Sequence, residues 1–396
     1  MLTNKYYNLG KDKLFNICRS LTGNGVKKTL NIIKKEFPKL KIYKVKSGTK
    51  VFDWSIPPEW NIKNAFVLDK NKDKIIDFRK HNLHLVSYSI PQKKNISKKN
   101  LLKKIYSLPE RQDSIPYVTS YYNRDWGFCL SHKDKLKIEK KYKDSDNFKV
   151  VINSKLNSKG YLNYGEIVIK GKSEQEILIS TYICHPSMAN NELSGPIVSM
   201  SLIKHFSKEK SLNKTLRFIF IPETIGSITY LSKNFIHLKR NIIGGFNLSC
   251  IGDERQHSCM FTKYKDTASD RALLEAYKKL GIKYNIYPFL ERGSDERQYN
   301  SPGIDLPIAS IFRSMYGEYP EYHTSDDNFN LVTKKGINGG FREATKCIEI
   351  LLDEIIPKNR IMCEPYMNNK KQIGYIANLS MSMYNLLLIM TIFFIR

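Results

Sequence analysis

Among the seven cysteines, Cys18, Cys129, Cys184, Cys250, Cys259, Cys347 and Cys363, there is no C-x-x-C pair, and their number is odd. A small disulfide scaffold is thereby excluded, and the pattern reads as a reducing compartment. An N-terminal apolar run is also missing. Asn4, Lys5, Tyr6 and Tyr7 stand where a secretory signal would need one, so the expected location is cytoplasmic. No apolar stretch reaches the ~20 residues of a membrane span. The apolar run from Leu386 to Ile395 is about half that length and meets Asn385 and Ser382 upstream, so no stable membrane anchor is expected. No internal repeat is evident.

Arginine is scarce. The chain has 396 residues and a formal net charge of +27, but lysine supplies 51 of the 65 basic side chains and arginine only 14. A phosphate-reading surface favours Arg forks, so the lysine excess reads first as a compositional habit, with a polyanion-binding surface in the Lys-rich first 150 residues as a rival. The excess is also uneven: residues 1–150 carry 34 basic and 14 acidic side chains, residues 151–396 carry 31 and 24. Between Glu291 and Asp327 the balance reverses, with eight acidic residues against three arginines. That local reversal suits a cation or a substrate amine better than a nucleic-acid backbone, and nucleic acid is not an expected partner.

What is present is a change of rhythm along the chain. Leu14, Ile17, Leu21, Val26, Leu30 and Ile33 recur at helical spacing around Gly23-Asn24-Gly25, which predicts two helices within residues 1–50. Residues 51–147 hold all three tryptophans, Pro57-Pro58 and short alternating runs such as Leu83 to Tyr88, the marks of a β-rich insert. From 148 to 357, continuous apolar strands alternate with helices: Val150-Val151-Ile152, Glu166 to Ile169, Ile177 to Tyr182, Arg217 to Ile221, Ile242 to Leu248 and Pro307 to Phe312. This alternation predicts an α/β domain with a mostly parallel central sheet and helices on both faces.

In such sheets ligands gather at the carboxyl ends of the strands, so the residues that follow each strand carry the functional expectation. After Tyr182 come Cys184-His185-Pro186 and Asn190-Asn191-Glu192-Leu193-Ser194-Gly195. After Ile221 come Glu223 and Thr224, after Leu248 come Ser249 and Asp253, and after Phe312 comes Tyr322-His323-Thr324. Singly these are an ordinary hydrogen-bonded His, a Glu that complements a helix dipole and an N-capping Ser. Together, two imidazoles, several carboxylates and a free Glu at one sheet edge are the donor set of a hydrolytic zinc site.

The ordered runs H-P-S-M-A-N-N-E-L-S-G-P (185–196), I-P-E-T-I-G-S-I (221–228), G-S-D-E-R-Q-Y (293–299), S-P-G-I-D-L-P (301–307) and Y-G-E-Y-P-E-Y-H-T-S-D-D-N (316–328) resemble the zinc aminopeptidases. They resemble more closely still a bacterial aminopeptidase-like family often encoded among polysaccharide-biosynthesis genes. The run from Tyr121 to His132 looks like that family's inserted β-rich domain, and the resemblance spans residues 1 to 365. It implies His185 and His323 as zinc ligands, Glu223 as general base, and a third ligand at Glu192 or Asp253. It also implies a small peptide-like or amino-acylated substrate.

The departures bear on the metal count. Ser187 stands where the active aminopeptidases have the Asp that orients the first His, Asn191 replaces their metal-bridging Asp, Thr224 a second Glu, and Ser249 a further Asp. Two dications need several anionic ligands, so one zinc is expected rather than two. Asn191, Asp295, Glu296, Arg297 and Tyr322 are the expected substrate contacts, with a loop salt bridge as the plainer reading of Asp295-Glu296-Arg297 and packing that of Tyr322. The alternative function is an inactive binding protein with one structural metal; a homo-oligomer is compatible with either. The resembling family continues into a winged helix, whereas here residues 358–396 form a divergent apolar tail that reads as a truncation or frame disruption.

Overall fold

A computed structural model describes residues 2–354; the tail at 358–396 and the winged helix it was expected to replace lie outside them. Up to Glu354 the chain forms one compact unit. Its centre is an eight-stranded mixed sheet. In chain order the strands are β1 (Lys41–Lys46), β6 (Tyr161–Ile169), β7 (Glu176–Tyr182), β8 (Thr215–Ile221), β9 (Ile242–Leu248), β10 (Ser258–Met260), β11 (Asn285–Tyr287) and β12 (Ile308–Phe312), arranged β1-β6-β8-β7-β9-β12-β10-β11. The pairs β8–β7, β7–β9 and β9–β12 are parallel, while β6 joins β8 and β10 joins β12 antiparallel. Every residue of β7 and β8 is buried, which is why both read as largely apolar rather than alternating, with their charged residues Glu176 and Arg217 paired to each other.

Helices cover both faces. Ser180 and Thr181 are neighbours on β7 and therefore point to opposite sides. The Ser180 hydroxyl meets that of Tyr299 in the short helix Glu296–Tyr299, and Thr181 packs against Gly195 in helix α4 (Ser194–Phe206). A Cβ at Gly195 would stand 2.2 Å from Thr181 Oγ1 and 2.3 Å from the Leu248 carbonyl oxygen. Only glycine lets the start of α4 press onto the ends of two strands, and that contact fixes the loop 183–193 in front of it.

The segment read as a β-rich insert carries a second, four-stranded antiparallel sheet: β2 (Glu59–Leu68), β3 (Lys74–Asp77), β4 (Gln92–Ser97) and β5 (Asn147–Asn157), in the order β3-β2-β5-β4. Two sequence expectations change here. Val150-Val151-Ile152 lies in β5 of this sheet, not in the central one: it pairs antiparallel with Ala65-Phe66-Val67 of β2, and the alternating burial of β5 marks a sheet with one face on the core. Leu83 to Tyr88 is a 3₁₀ turn followed by isolated bridges; its alternating pattern reflects burial of Leu83, Leu85 and Val86 in a loop. Of the two expected N-terminal helices, the second is α2 (Asn24–Glu36), which carries Val26, Leu30 and Ile33. The first lies earlier than expected: α1 (Leu2–Leu9) continues as a π-helical turn only to Leu14, and Ile17 and Leu21 are buried in the non-helical stretch that follows. A further helix, α3 (His132–Lys141), precedes β5.

Candidate active site

Because β7, β8, β9 and β12 run parallel, the loops after them emerge at one edge, and they carry His185, Glu223, Asp253 and His323 in turn. Each loop contains a non-glycine residue in left-handed backbone: Ser187 (φ 49°), Thr224 (φ 62°), Cys250 (φ 48°) and His323 (φ 54°). Such conformations are costly, most of all for a β-branched threonine, and persist where surrounding contacts over-determine them. At Thr224 the N–H donates to Asp295 Oδ1 (2.7 Å) and the hydroxyl accepts from Arg297 Nη2 (2.8 Å), which fixes the backbone beside Glu223.

His185 is buried, and its two nitrogens face different partners. Nδ1 lies 2.9 Å from Glu192 Oε2, and Nε2 lies 3.6 Å from Glu223 Oε2. The His323 ring lies 5.4 Å from the His185 ring, centroid to centroid. Tyr322 stacks on the outer face of His323 at 3.9 Å, and Tyr117 stands edge-on to both imidazoles. Burial, helped by the neighbouring His185, pushes the His323 imidazole down to about 3, so it is neutral and keeps a lone pair. Its buried Nε2 has no hydrogen-bond partner, a state that costs about 1–3 kcal/mol unless something else meets the nitrogen.

Glu223 accepts from the Ser294 hydroxyl (2.6 Å), and burial raises its carboxyl above the ordinary range. Asp295 is raised to about 8, by burial first and then by the charge of Glu223, against the lowering effect of donors from Thr224 and Ser227. The thiol of Cys184, the imidazole of His185 and the carboxylate of Glu192 form a buried group whose ligating atoms all lie within 4.8 Å of one another.

Other expected residues are committed elsewhere. Asp253 accepts from Asn190 Nδ2, Arg255 N, Ser314 N and Ser314 Oγ at 2.8–3.0 Å. Glu296 accepts from Gly293 N, Ser294 N, Asn247 Nδ2 and the Tyr316 hydroxyl. Arg297 bonds Thr224 and shows no ion pair with Asp295 or Glu296 among the described contacts. The Asn191 side chain accepts from the Tyr182 hydroxyl (3.2 Å) and lies 3.6 Å from the Met188 sulfur.

Sequence reasoning missed Arg19, Tyr117, Ser294 and Asp327. Asp327 accepts from the N–H groups of Ala189, Asn190 and Asn191, tying the His323 loop to the His185 loop. Its carboxylate had a signal, as the last residue of the Y-H-T-x-x-D run. Arg19 and Tyr117 come from distant segments and had none. The β-rich segment is built into the site: Tyr117 N donates to the His323 carbonyl (2.7 Å), and Arg111 pairs with Asp326 at 2.5 Å.

The family profile described as "Domain of unknown function (DUF4910)" matches residues 7–354. A Clostridium acetobutylicum protein named as a polysaccharide biosynthesis protein with an aminopeptidase-like domain is 43% identical over 367 residues, 92% of this chain and 82% of that protein. A crystal structure of a peptidase from the same organism superposes with a TM-score of 0.83 at 42% identity, covering 93% of this chain and 85% of that one. The zinc aminopeptidase BSAP of Bacillus subtilis has the same fold at 13% identity, with a TM-score of 0.65 and coverage of 87% and 93%.

Proposed function

On the premise that the chain belongs to the DUF4910 family and carries an aminopeptidase-like fold, we propose that it is a metal-dependent hydrolase that cleaves an amide bond in a small peptide-like or amino-acylated substrate. One observation carries the reading. The Nε2 atom of His185 stands 3.6 Å from the Glu223 carboxylate, with the His323 ring beside it, at the edge where the parallel strands end.

The residues suit one divalent ion, zinc in the first instance. His185 and His323 offer borderline-soft nitrogens, and the unpartnered His323 Nε2 is a buried polar atom that an ion would satisfy. A bound zinc supplies Lewis acidity, polarising a carbonyl and lowering the pKa of water. Two histidines are fewer than the three protein ligands usual in catalytic zinc sites, so binding is expected to be reversible by mild chelation. A second ion lacks anionic support: Asn191 is neutral and turned to Tyr182, and Asp253 is spent on four donors.

Glu223 is the base. The Ser294 hydroxyl fixes one carboxylate oxygen and leaves the other toward His185, where an attacking water would lose its proton. The excess of acidic residues over the 291–327 segment, with Glu223 at the cleft, favours a substrate with a free amine. The Clostridium relative is named for polysaccharide biosynthesis, which supports an amino-acylated intermediate of such a process as the substrate.

The test is hydrolysis of a panel of aminoacyl amides by metal-stripped and zinc-supplemented protein, wild type against Glu223→Gln. Zinc-dependent turnover that falls about 10²–10⁴-fold in the variant is expected. Absence of turnover by wild type at every zinc level and on every substrate sinks the hydrolase, and undiminished turnover by Glu223→Gln removes Glu223 from its role.

A further inference from the structure

The aminopeptidases that this sequence resembles orient their first histidine with an Asp two residues on, and that position is Ser187 here. Its hydroxyl donates to the Phe15 carbonyl (3.3 Å) and accepts from Asn82 Nδ2 (2.8 Å), so it does not serve the ring. The ring is nevertheless held. Glu192, wholly buried in the turn before α4, brings Oε2 to 2.9 Å from His185 Nδ1. Behind it stands Arg19, also wholly buried, with Nε 3.2 Å from Glu192 Oε1 and 2.9 Å from the His185 carbonyl oxygen, and Nη1 2.6 Å from the Leu14 carbonyl.

We propose that Glu192 and Arg19 form a relocated orienting pair, in which Glu192 fixes the Nδ1 proton of His185 so that Nε2 faces the cleft, and Arg19 holds both the carboxylate and the backbone of the histidine. The inference rests on the metal-site reading above, and it assigns Glu192 as a positioning residue rather than a metal ligand. Three features support this. A lone buried carboxylate would be prohibitively costly, and Arg19 offsets that cost. The same guanidinium supplies the positive charge that an ion in the Cys184-His185-Glu192 group would need to replace, so a dication on the Nδ1 side is repelled at close range. A carboxylate on the far nitrogen of a ligating histidine sets its tautomer and raises its basicity, which recovers donor strength in a site that has lost the anionic Asp at position 191.

The pair is tested by two double variants that remove the buried charges together and so avoid an uncompensated ion: Arg19→Met with Glu192→Leu, and Arg19→Met with Glu192→Gln. The second keeps an oxygen that can accept from Nδ1. Zinc affinity by competition with a chromophoric chelator should fall about 10–100-fold in the Leu variant, and less in the Gln variant, with both still folded by circular dichroism. Long-range proton–nitrogen NMR of the zinc-loaded protein should show the proton on His185 Nδ1 and the metal on Nε2. Metal on Nδ1, or wild-type affinity in a folded Leu variant, overturns the assignment while leaving the hydrolase intact. Should wild type bind no zinc, the metal reading falls instead. The orienting pair is then decided by an exchange-protected Nδ1 proton, expected in wild type and the Gln variant and absent in the Leu variant; its persistence in the Leu variant overturns the proposal.

Discussion

Ser294 shows how much of this site depends on one short contact. Its hydroxyl reaches Glu223 Oε1 at 2.6 Å, while its own N–H donates to Glu296, whose other oxygen is held by Asn247. The hydroxyl is thus aimed by a buried network rather than left to rotate, and the proposed base inherits that aim. Ser294→Ala should lower kcat by roughly tenfold, about the worth of one hydrogen bond to a charged group, with little change in KM. Steady-state kinetics checks this, and a change confined to KM would make Ser294 a substrate contact instead. The same residue marks a limit of sequence reading. Glu223, His185 and His323 were legible because each follows a buried strand in an ordered motif. Ser294 sits in a quoted run, but nothing in G-S-D-E-R-Q-Y says which of its polar residues faces the cleft. The structure turns Asp295 and Glu296 inward to brace backbone, which leaves the serine facing Glu223.

At the scale of elements, the opposite end of the sheet carries a buried ionic network that joins the antiparallel flank to the parallel core. Arg217 on β8 binds Glu176 on β7 with Nε (2.6 Å) and Nη2 (2.8 Å), and Glu166 on β6 with Nη1 (2.5 Å). Glu166 also accepts from Tyr230 and Tyr43. One guanidinium satisfies two carboxylates across three strands, so its loss strands both acids in a dry interior. Arg217→Met should destabilise the protein by about 3–5 kcal/mol, read as a lower urea midpoint at unchanged slope; a loss below about 1 kcal/mol would show the acids to be hydrated instead. None of this was legible in the sequence, where Arg217-Phe218-Ile219 reads as a strand edge. Element type was legible wherever both faces are buried, since an unbroken apolar run admits little else, and β9 falls at the expected residues, Ile242–Leu248. Sheet membership was not, as Val150-Val151-Ile152 shows: a short apolar run fixes a strand but not its partner.

Over the whole molecule, the net charge of +27 and the charge of the site oppose each other. Buried around the cleft are Glu192, Asp253, Asp295, Glu296 and Asp327, against fewer buried guanidinium groups, Arg19 and Arg313. In the metal-free protein some of these acids stay protonated: Asp295 is raised to about 8 and Asp327 to about 6, in both cases mainly by burial. A raised folded-state pKa means that the folded molecule binds more protons than the unfolded chain across that window, so stability falls as pH rises. The contribution is fully present below the unfolded value, about 3.9 for an aspartate, and for Asp295 it is lost as pH climbs through about 8. Melting temperature of chelator-treated protein should therefore decline from pH 6 to pH 9, and Asp295→Asn, which keeps the acceptor for Thr224 N and Ser227 Oγ, should flatten the decline. Zinc, if bound as proposed, should lift the curve and reduce its slope, because a cation beside Glu223 offsets the repulsion that holds the Asp295 proton on. A slope unchanged by Asp295→Asn would locate the titration elsewhere and make Asp295 an ionised brace.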